Sequence, residues 1–271
     1  MRRRRKVAAG RDGRPRDAAR RGSPRAARPA PRSDPPAALL LPGLDGSGRL
    51  YAPLLEAGPR AFRPEVLSYP PDERLGYDDL VARVRPRLPR GRFVLLAESF
   101  SGPVAVRLAA ERPAGLEALV LAATFLRAPL NPLLHPVRGL VGARLFGFPM
   151  PAAVVRCFLA GPDAPDAIVR EVQRAVAAVS PDVLAHRSSE ALRVDVRADL
   201  ARVDVPVLLV APTRDRLLRT DVADEVLAIR PDAEVALVEA PHMVLQRCPQ
   251  ASLARIEEFL ARPGARAGTV A

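Results

Sequence analysis

A serine in a tight turn between an apolar run and a helical pattern is the first residue whose setting suggests chemistry. Residues 97–102 read Ala-Glu-Ser-Phe-Ser-Gly. A strand, a tight turn and a helix, in that order, form the context that exposes a serine hydroxyl as a nucleophile. Ala97 and Ser101 provide the small side chains that such a turn needs on either side of Ser99, and we expect an unusual backbone angle at the serine. The alternative is that Ser99 only caps the helix.

A second turn, Pro-Gly-Leu-Asp-Gly-Ser-Gly at 42–48, is crowded with glycines. Backbone N–H groups in such a turn can point at an anion. We expect the Leu44 N–H to lie opposite the Phe100 N–H, where each would stabilise a developing oxyanion by roughly a few kcal/mol. A phosphate loop is a rival interpretation, but the turn lacks both the Walker ending and the G-x-G-x-x-G spacing. A plain glycine-rich turn is the other alternative.

An aspartate and a histidine each follow a later apolar run. Asp215 comes just after one such run and His242 just after the next. In open α/β sheets the ligand binds beyond the carboxyl ends of the strands, where Ser99 is also expected. The order Ser, Asp, His is the one found in α/β-hydrolases. Two rival acids are less suitable, because Asp204 precedes its strand and Asp221 opens a helix.

The elements that must position these residues follow an alternating pattern. Strand-like apolar runs occur at 37–41, 64–69, 93–97, 116–124, 205–211 and 234–239, and helical patterns occur at 78–88, 104–111 and 220–229 and up to 260. Strands that are apolar along their length and alternate with helices predict a mostly parallel sheet of about six strands, with helices on both faces. Residues 126–200 show helical patterns only, which predicts a helical cap inserted over the open end of the sheet.

These motifs together resemble the α/β-hydrolase superfamily over essentially all of residues 37–262. The chain looks most similar to small capped carboxylesterases of the pimeloyl-carrier-protein methyl esterase type. Its glycine-rich turn is also similar to one in plastid phytyl-ester acyltransferases. Two departures stand out: Pro42-Gly43 replaces the usual His-Gly, and no strand pattern precedes Ala37 where the family has two further strands.

The residue types suggest a serine hydrolase acting on a carboxylic ester. Ser99 would attack the carbonyl, His242 would take the proton, and Asp215 would orient the histidine. The backbone N–H groups of Leu44 and Phe100 would form the oxyanion hole. Neither a cofactor nor a metal is needed. We expect a small-molecule ester with an apolar group as the substrate. An acyltransferase on the same residues and a non-catalytic binding protein are the alternatives.

The charge of the chain is concentrated at its start. The formal net charge is +12, and residues 1–36 account for +10 of it, with 13 Lys+Arg and 3 Asp. This Arg-, Pro- and Ala-rich stretch has too few large apolar residues to fold, which predicts a disordered basic tail. The tail is a solvated extension, a region translated from a start codon placed too early, or an arm that binds nucleic acid. We favour the first two interpretations over nucleic-acid binding because no aromatic residues interleave the arginines.

The remaining composition restricts the class of protein further. Two cysteines and three scattered histidines exclude a disulfide scaffold and leave little for a metal site. No apolar run approaches the ~18 residues of a membrane-spanning helix. Without a secretory signal pattern, a cytoplasmic location is expected. We therefore predict a basic tail at 1–36, a hydrolase domain at 37–262 with its cap at about 126–200, and a loose tail at 263–271.

Overall fold

A computed structural model describes residues 34–129, 146–218 and 221–262. Within these ranges one six-stranded sheet runs in the order β2-β1-β3-β4-β5-β6, and all neighbouring strands are parallel. The strands are β1 Ala37–Leu41, β2 Arg63–Val66, β3 Phe93–Glu98, β4 Leu116–Ala122, β5 Val207–Pro212 and β6 Glu234–Val238. The predicted α/β architecture with about six strands is therefore confirmed. Residues 1–33 and 263–271, which make up most of the two predicted tails, lie outside the described residues.

The helices alternate with the strands except between β4 and β5, where several follow one another. The α-helices span Ala52–Glu56, Tyr77–Val84, Gly102–Ala110, Ala152–Val154, Asp166–Ala177, Pro181–Ala191, Arg197–Leu200, Val222–Ile229, Val244–Arg247 and Pro249–Ala261. Short 3-10 helices span Arg49–Tyr51, Arg85–Arg87 and Ser99–Ser101, and Val155–Ala160 is a π-helix.

Alternate residues of the central strands enter two separate apolar cores, one on each face of the sheet. Leu39, Leu95 and Leu121 belong to the first core, which includes the helices Tyr77–Val84 and Gly102–Ala110. Leu40 and Leu96 belong to the second core, which includes the C-terminal helix Pro249–Ala261. Side chains of a strand point alternately to opposite faces, so the near-continuous apolar runs are explained by burial on both sides.

Strand β2 differs from the prediction. The expected strand at 64–69 begins and ends earlier in the structure, and all four residues of β2 are exposed. β2 is the edge strand next to β1, so one of its sides has no neighbouring strand among the described residues. Pro64 of β2 is compatible with an edge strand, because a residue at the edge of a sheet need not donate a hydrogen bond to a neighbouring strand. The apolar residues that suggested a longer strand, Leu67 and Tyr69, are buried but lie in the connection after β2.

The segment between β4 and β5 is helical where it is described. Its only β pairing there is an isolated antiparallel bridge between Arg127 and Asp195. The buried positions of the helix Asp166–Ala177 include Val169 and Val172, which are three residues apart and share one helical face. Residues 130–145, which include His135, lie outside the described ranges.

Candidate active site

The turn after β3 holds Ser99 in a strained conformation. Ser99 has φ +50°, a backbone angle that residues other than glycine rarely adopt. Its carbonyl accepts a 2.5 Å hydrogen bond from the hydroxyl of Thr124, which follows β4. A Cβ on Gly102 would lie 1.9 Å from the same hydroxyl oxygen, so close packing of the helix start on Thr124 requires glycine there. Tight packing around the turn thus maintains the backbone strain at the serine.

A continuous line of hydrogen bonds joins Ser99, His242 and Asp215. The Ser99 hydroxyl lies 3.0 Å from Nε2 of His242. Nδ1 of His242 lies 2.7 Å from Oδ2 of Asp215. The three residues follow β3, β6 and β5, respectively, so the carboxyl ends of three parallel strands bring them together. A carboxylate is only an acceptor, which places a proton on Nδ1 and leaves Nε2 of the neutral ring free to accept the serine proton.

Asp215 is held by the backbone as well as by the histidine. Its Oδ1 accepts the N–H groups of Leu217 and Leu218 at 2.8 and 2.9 Å. Burial raises the pKa of Asp215, but the positive charge and hydrogen bond of His242 and these backbone donors outweigh burial, so its pKa is lowered. Asp215 is therefore ionised at neutral pH and oriented by three donors.

The pKa of His242 is also set by burial and by neighbouring charges, which act in opposite directions. Burial lowers its pKa, whereas the charge and hydrogen bond of Asp215 and the charge of Glu98 raise it, and the resulting pKa is above the ordinary value. His242 as a whole residue is only 5 % exposed. A buried imidazole beside two carboxyl groups is a stronger base than one in water, which suits proton transfer from a hydroxyl.

The glycine-rich turn after β1 is a four-residue β-turn. The Gly46 N–H donates to the Gly43 carbonyl at 3.0 Å. The carboxylate of Asp45 accepts both the N–H of Ser47, at 2.8 Å, and the Ser47 hydroxyl. This Asx-type bond braces the turn. Neither the Leu44 N–H nor the Phe100 N–H has an acceptor among the described residues, so both remain available to a ligand.

Hydrogen bonds also connect this turn to the serine turn. The Ser101 hydroxyl donates to the carbonyl of Pro42, and the Tyr69 hydroxyl lies 2.7 Å from Ser101 Oγ. The Tyr77 hydroxyl donates to the carbonyl of Phe100 at 3.1 Å. The two candidate N–H donors therefore belong to backbone segments that buried side chains hold in a fixed relation.

A buried carboxyl group lies next to the serine. Glu98 is 6 % exposed, and its Oε1 accepts a 2.8 Å hydrogen bond from the amide of Gln246. The same amide nitrogen donates to the Leu50 carbonyl at 3.1 Å. Burial is the largest effect on Glu98 and raises its pKa to about 7, although Gln246 and the His242 charge counteract burial. The negative charge of Glu98 and the positive charge of protonated His242 thus stabilise one another.

Sequence patterns singled out the serine, the acid, the histidine and the two turns, but missed their buried supports. The buried supports are four side chains that all contact these turns: Arg187, Tyr69, Thr124 and Gln246. Tyr69 and Thr124 end two of the predicted strand-like runs, whereas Arg187 and Gln246 lie in segments without a motif. Nothing in the sequence separates Arg187 from the other basic residues. The rival acids lie elsewhere: Asp204 pairs with Arg112 and Asp221 with Arg127.

Neither a metal-binding cluster nor a membrane-spanning helix is found among the described residues. No group of three or more His, Cys, Asp or Glu side chains within it is arranged to hold a metal ion. No helix in those ranges is both long and apolar enough to cross a membrane.

Comparison with known proteins gives one family. The model of the alpha/beta hydrolase family matches residues 38–256. No curated protein sequence matches the chain. Among solved structures, a bromoperoxidase from Bacillus anthracis is similar with a TM-score of 0.71 at 18% identity, covering 84% of this chain and 92% of that one. A hydrolase from Oleispira antarctica has a TM-score of 0.70 at 14% identity, with 83% and 90% covered.

A carboxylesterase from Bacillus subtilis is similar with a TM-score of 0.62 at 19% identity, covering 85% of each chain. At such identities these likenesses concern the fold. They do not separate one member of the family from another, so the closer resemblance to pimeloyl-carrier-protein methyl esterases stays a prediction.

Proposed function

The chain belongs to the alpha/beta hydrolase family, and we propose that it is a serine hydrolase that cleaves carboxylic esters. The observation that carries the proposal is the line of hydrogen bonds from the Ser99 hydroxyl through His242 to Asp215, with distances of 3.0 and 2.7 Å. This is the arrangement that a nucleophilic hydroxyl, a general base and an orienting carboxylate require. The strained φ of +50° at Ser99 supports it further, since strain of this kind clusters at functional sites.

The proposed reaction has two halves. Ser99 Oγ bonds to the ester carbonyl carbon while Nε2 of His242 takes the hydroxyl proton, and the carbonyl oxygen becomes an oxyanion near the N–H groups of Leu44 and Phe100. The carbon–oxygen bond to the alcohol then breaks, and His242 gives its proton to the leaving oxygen. Water attacks the acyl-enzyme by the same sequence and releases the acid. Asp215 stabilises the imidazolium that forms in each half.

We propose that the helical segment within residues 126–200 is a cap and that the substrate carries an apolar group. An apolar cluster in this segment, which includes Val155 and Val172, packs against Met243, the residue after His242. The Met243 N–H also donates to the Leu159 carbonyl at 3.0 Å. Apolar side chains beside the base favour a substrate whose acyl or alcohol part is apolar.

The proposed function is tested with the wild-type protein, p-nitrophenyl esters of graded acyl length and a fluorophosphonate probe. We expect turnover, with the acyl-length profile measuring the pocket, and one covalent label that peptide mass spectrometry locates on Ser99. Addition of a simple alcohol distinguishes the two reaction types: free acid is the main product of a hydrolase, and a new ester is that of an acyltransferase. A folded protein that neither turns over an ester nor takes the label would contradict the proposal.

Replacement of Glu98 by Gln should change the pH dependence of activity. The neutral form of His242 is the active base, and the negative charge of Glu98 raises the pKa of that histidine. Removing the charge lowers this pKa, so the acidic limb of kcat/KM should move to lower pH. In the wild type, protonation of Glu98, with a pKa of about 7, removes this negative charge and so opposes protonation of His242.

The matched control is Glu239→Gln, which removes an exposed carboxyl group three residues before His242. Its pH profile should coincide with that of the wild type. An acidic limb that stays in place in Glu98→Gln, or moves to higher pH, would show that Glu98 does not influence the base.

A further inference from the structure

Arg187 is a fully buried cation that hydrogen-bonds only to backbone among the described residues. It lies on the helix Pro181–Ala191 and is 0% exposed. Nη1 donates to the carbonyls of Leu44 and Asp45 at 2.9 and 3.1 Å, and Nη2 donates to the carbonyl of Pro70 at 2.8 Å. Nε has no acceptor in the described ranges.

A buried cation in this position lowers the stability of the fold, which is unexpected if its only role is to join two loops. Burying a guanidinium without a carboxylate partner opposes folding, and burial lowers the pKa of Arg187. A neutral side chain could also join loops through hydrogen bonds. The charge of the Asp45 carboxylate offsets part of the effect of burial on Arg187, but this carboxylate is itself hydrogen-bonded to the N–H and hydroxyl of Ser47. The positive charge therefore calls for a reason beyond loop connection.

The turn at 43–46 is shaped around the guanidinium. A Cβ on Gly46, which has φ +71°, would lie 2.5 Å from Nη1 of Arg187. Any other residue at position 46 would have to displace the arginine head group and would also adopt a strained φ. The Arg187 guanidinium also lies 5.7 Å from the centre of the Tyr69 ring, and the Tyr69 N–H donates to the Gly46 carbonyl at 2.7 Å.

Every carbonyl of this turn is therefore held in direction. Arg187 holds those of Leu44 and Asp45, Tyr69 holds that of Gly46, and the turn's own hydrogen bond holds that of Gly43. In a trans peptide the N–H points away from the C=O of the same plane. The Leu44 N–H shares its plane with the Gly43 carbonyl, so its direction is fixed once the turn is fixed.

We propose that Arg187 is a positioning residue for the oxyanion turn: it holds the turn so that the Leu44 N–H faces the reacting oxygen, and its charge favours negative charge there. This role rests on the proposed function. Preorganised donors and charges in a water-excluded site stabilise a developing oxyanion because they need not reorient during the reaction. Arg187 acts through the backbone, since a fully buried side chain does not touch the substrate.

The test compares Arg187→Met, Arg187→Lys and Arg187→Ala with the wild type, by ester kinetics and by the rate of fluorophosphonate labelling. We expect kcat and the labelling rate of Arg187→Met to fall about 10- to 100-fold, with KM changed less than about threefold. Arg187→Lys keeps the charge and should recover part of the loss. Millimolar ethylguanidinium should raise kcat of Arg187→Ala, by filling the space of the missing group, and leave the wild type unchanged.

Two control variants separate positioning from stability. Arg255→Met makes the same chemical change at an exposed ion pair with Glu258 and should leave both kinetics and melting temperature unchanged. Leu253→Ala removes a buried side chain from the second core and should lower the melting temperature without lowering kcat. If Arg187→Met behaves like Leu253→Ala, Arg187 is only structural.

The outcomes also separate this inference from the proposed function. Wild-type labelling and turnover, together with unchanged rates in Arg187→Met, would overturn the role of Arg187 alone. A wild-type protein that takes no label would overturn the proposed function, and the role of Arg187 with it, because no oxyanion would then form at the turn. If Arg187→Met does not fold, the rescue of Arg187→Ala and the rate of Arg187→Lys decide the question.

Discussion

Ser99→Ala is expected to lower kcat for ester hydrolysis by about 10⁶-fold, which leaves a residual rate slightly above that of the reaction in water. The change removes one oxygen atom, and with it the atom that is proposed to form the acyl-enzyme. The remaining rate would come from substrate binding and the oxyanion donors. Covalent labelling by the fluorophosphonate should disappear altogether. The measurement is kcat and KM with the best p-nitrophenyl ester, alongside gel detection of the label.

Two observations keep the Ser99→Ala result specific. The serine hydroxyl hydrogen-bonds only to His242 among the described residues, so its loss should leave the fold and the melting temperature close to those of the wild type. Ser68→Ala is the matched control, because Ser68 is exposed and takes no part in the site. Ser99→Ala that keeps more than about one percent of the wild-type kcat would exclude Ser99 as the nucleophile.

Ser99, Asp215 and His242 could be predicted from the sequence because each of them follows the end of a strand. An apolar run of strand length followed by Asp215 or His242 is a local feature of the sequence, and parallel strands place their carboxyl ends at one edge of the sheet. The small residues around Ser99 are local as well. The chain thus contains, within short windows, most of the information that brings Ser99, Asp215 and His242 together.

The supports of the site could not be predicted, since they are contacts between segments far apart in the chain. The Arg187 guanidinium reaches the carbonyl of Leu44 across 143 positions, and the Gln246 amide reaches Glu98 across 148. Hydrogen bonds to backbone carbonyls need no particular partner residue, so they leave no motif. Strand β2 ends earlier than predicted, although Leu67 and Tyr69, the apolar residues that indicate a longer strand, are buried in the first core. The Leu67 N–H still donates to the Leu40 carbonyl of β1, so apolar burial alone does not mark where the strand ends.

The helical segment between β4 and β5 contacts both sides of the candidate site. On one side Arg187 holds the turn at 43–46. On the other side, the Leu159 carbonyl accepts a hydrogen bond from the N–H of Met243, the residue after His242. Gly161 packs closely on Pro241, the residue before His242, since a Cβ on this glycine would lie 3.4 Å from the proline ring. Asp163 forms an ion pair with Arg247 at 2.8 Å. Changes in this segment should therefore affect the turn and the histidine as well as substrate binding.

His242→Ala is expected to lower kcat by about as much as Ser99→Ala, near 10⁶-fold. Without an imidazole 3.0 Å from the serine oxygen, no group is left to take the hydroxyl proton, and a neutral hydroxyl is a poor nucleophile. Labelling by the fluorophosphonate should slow in parallel, because it requires the same proton transfer. His186→Ala, which changes a partly buried histidine outside the line of hydrogen bonds, is the matched control and should retain turnover.

The double variant Ser99→Ala/His242→Ala gives the sharper result. If the two side chains act as one unit, removing the second after the first changes kcat little, so the double variant should be no slower than either single variant within about threefold. Two independent contributions would instead multiply, and the double variant would lose activity far beyond either single loss. Such a multiplied loss would mean that His242 does not activate Ser99, and that the hydrogen bond between them has another role. The comparison therefore measures the coupling that the 3.0 Å contact implies.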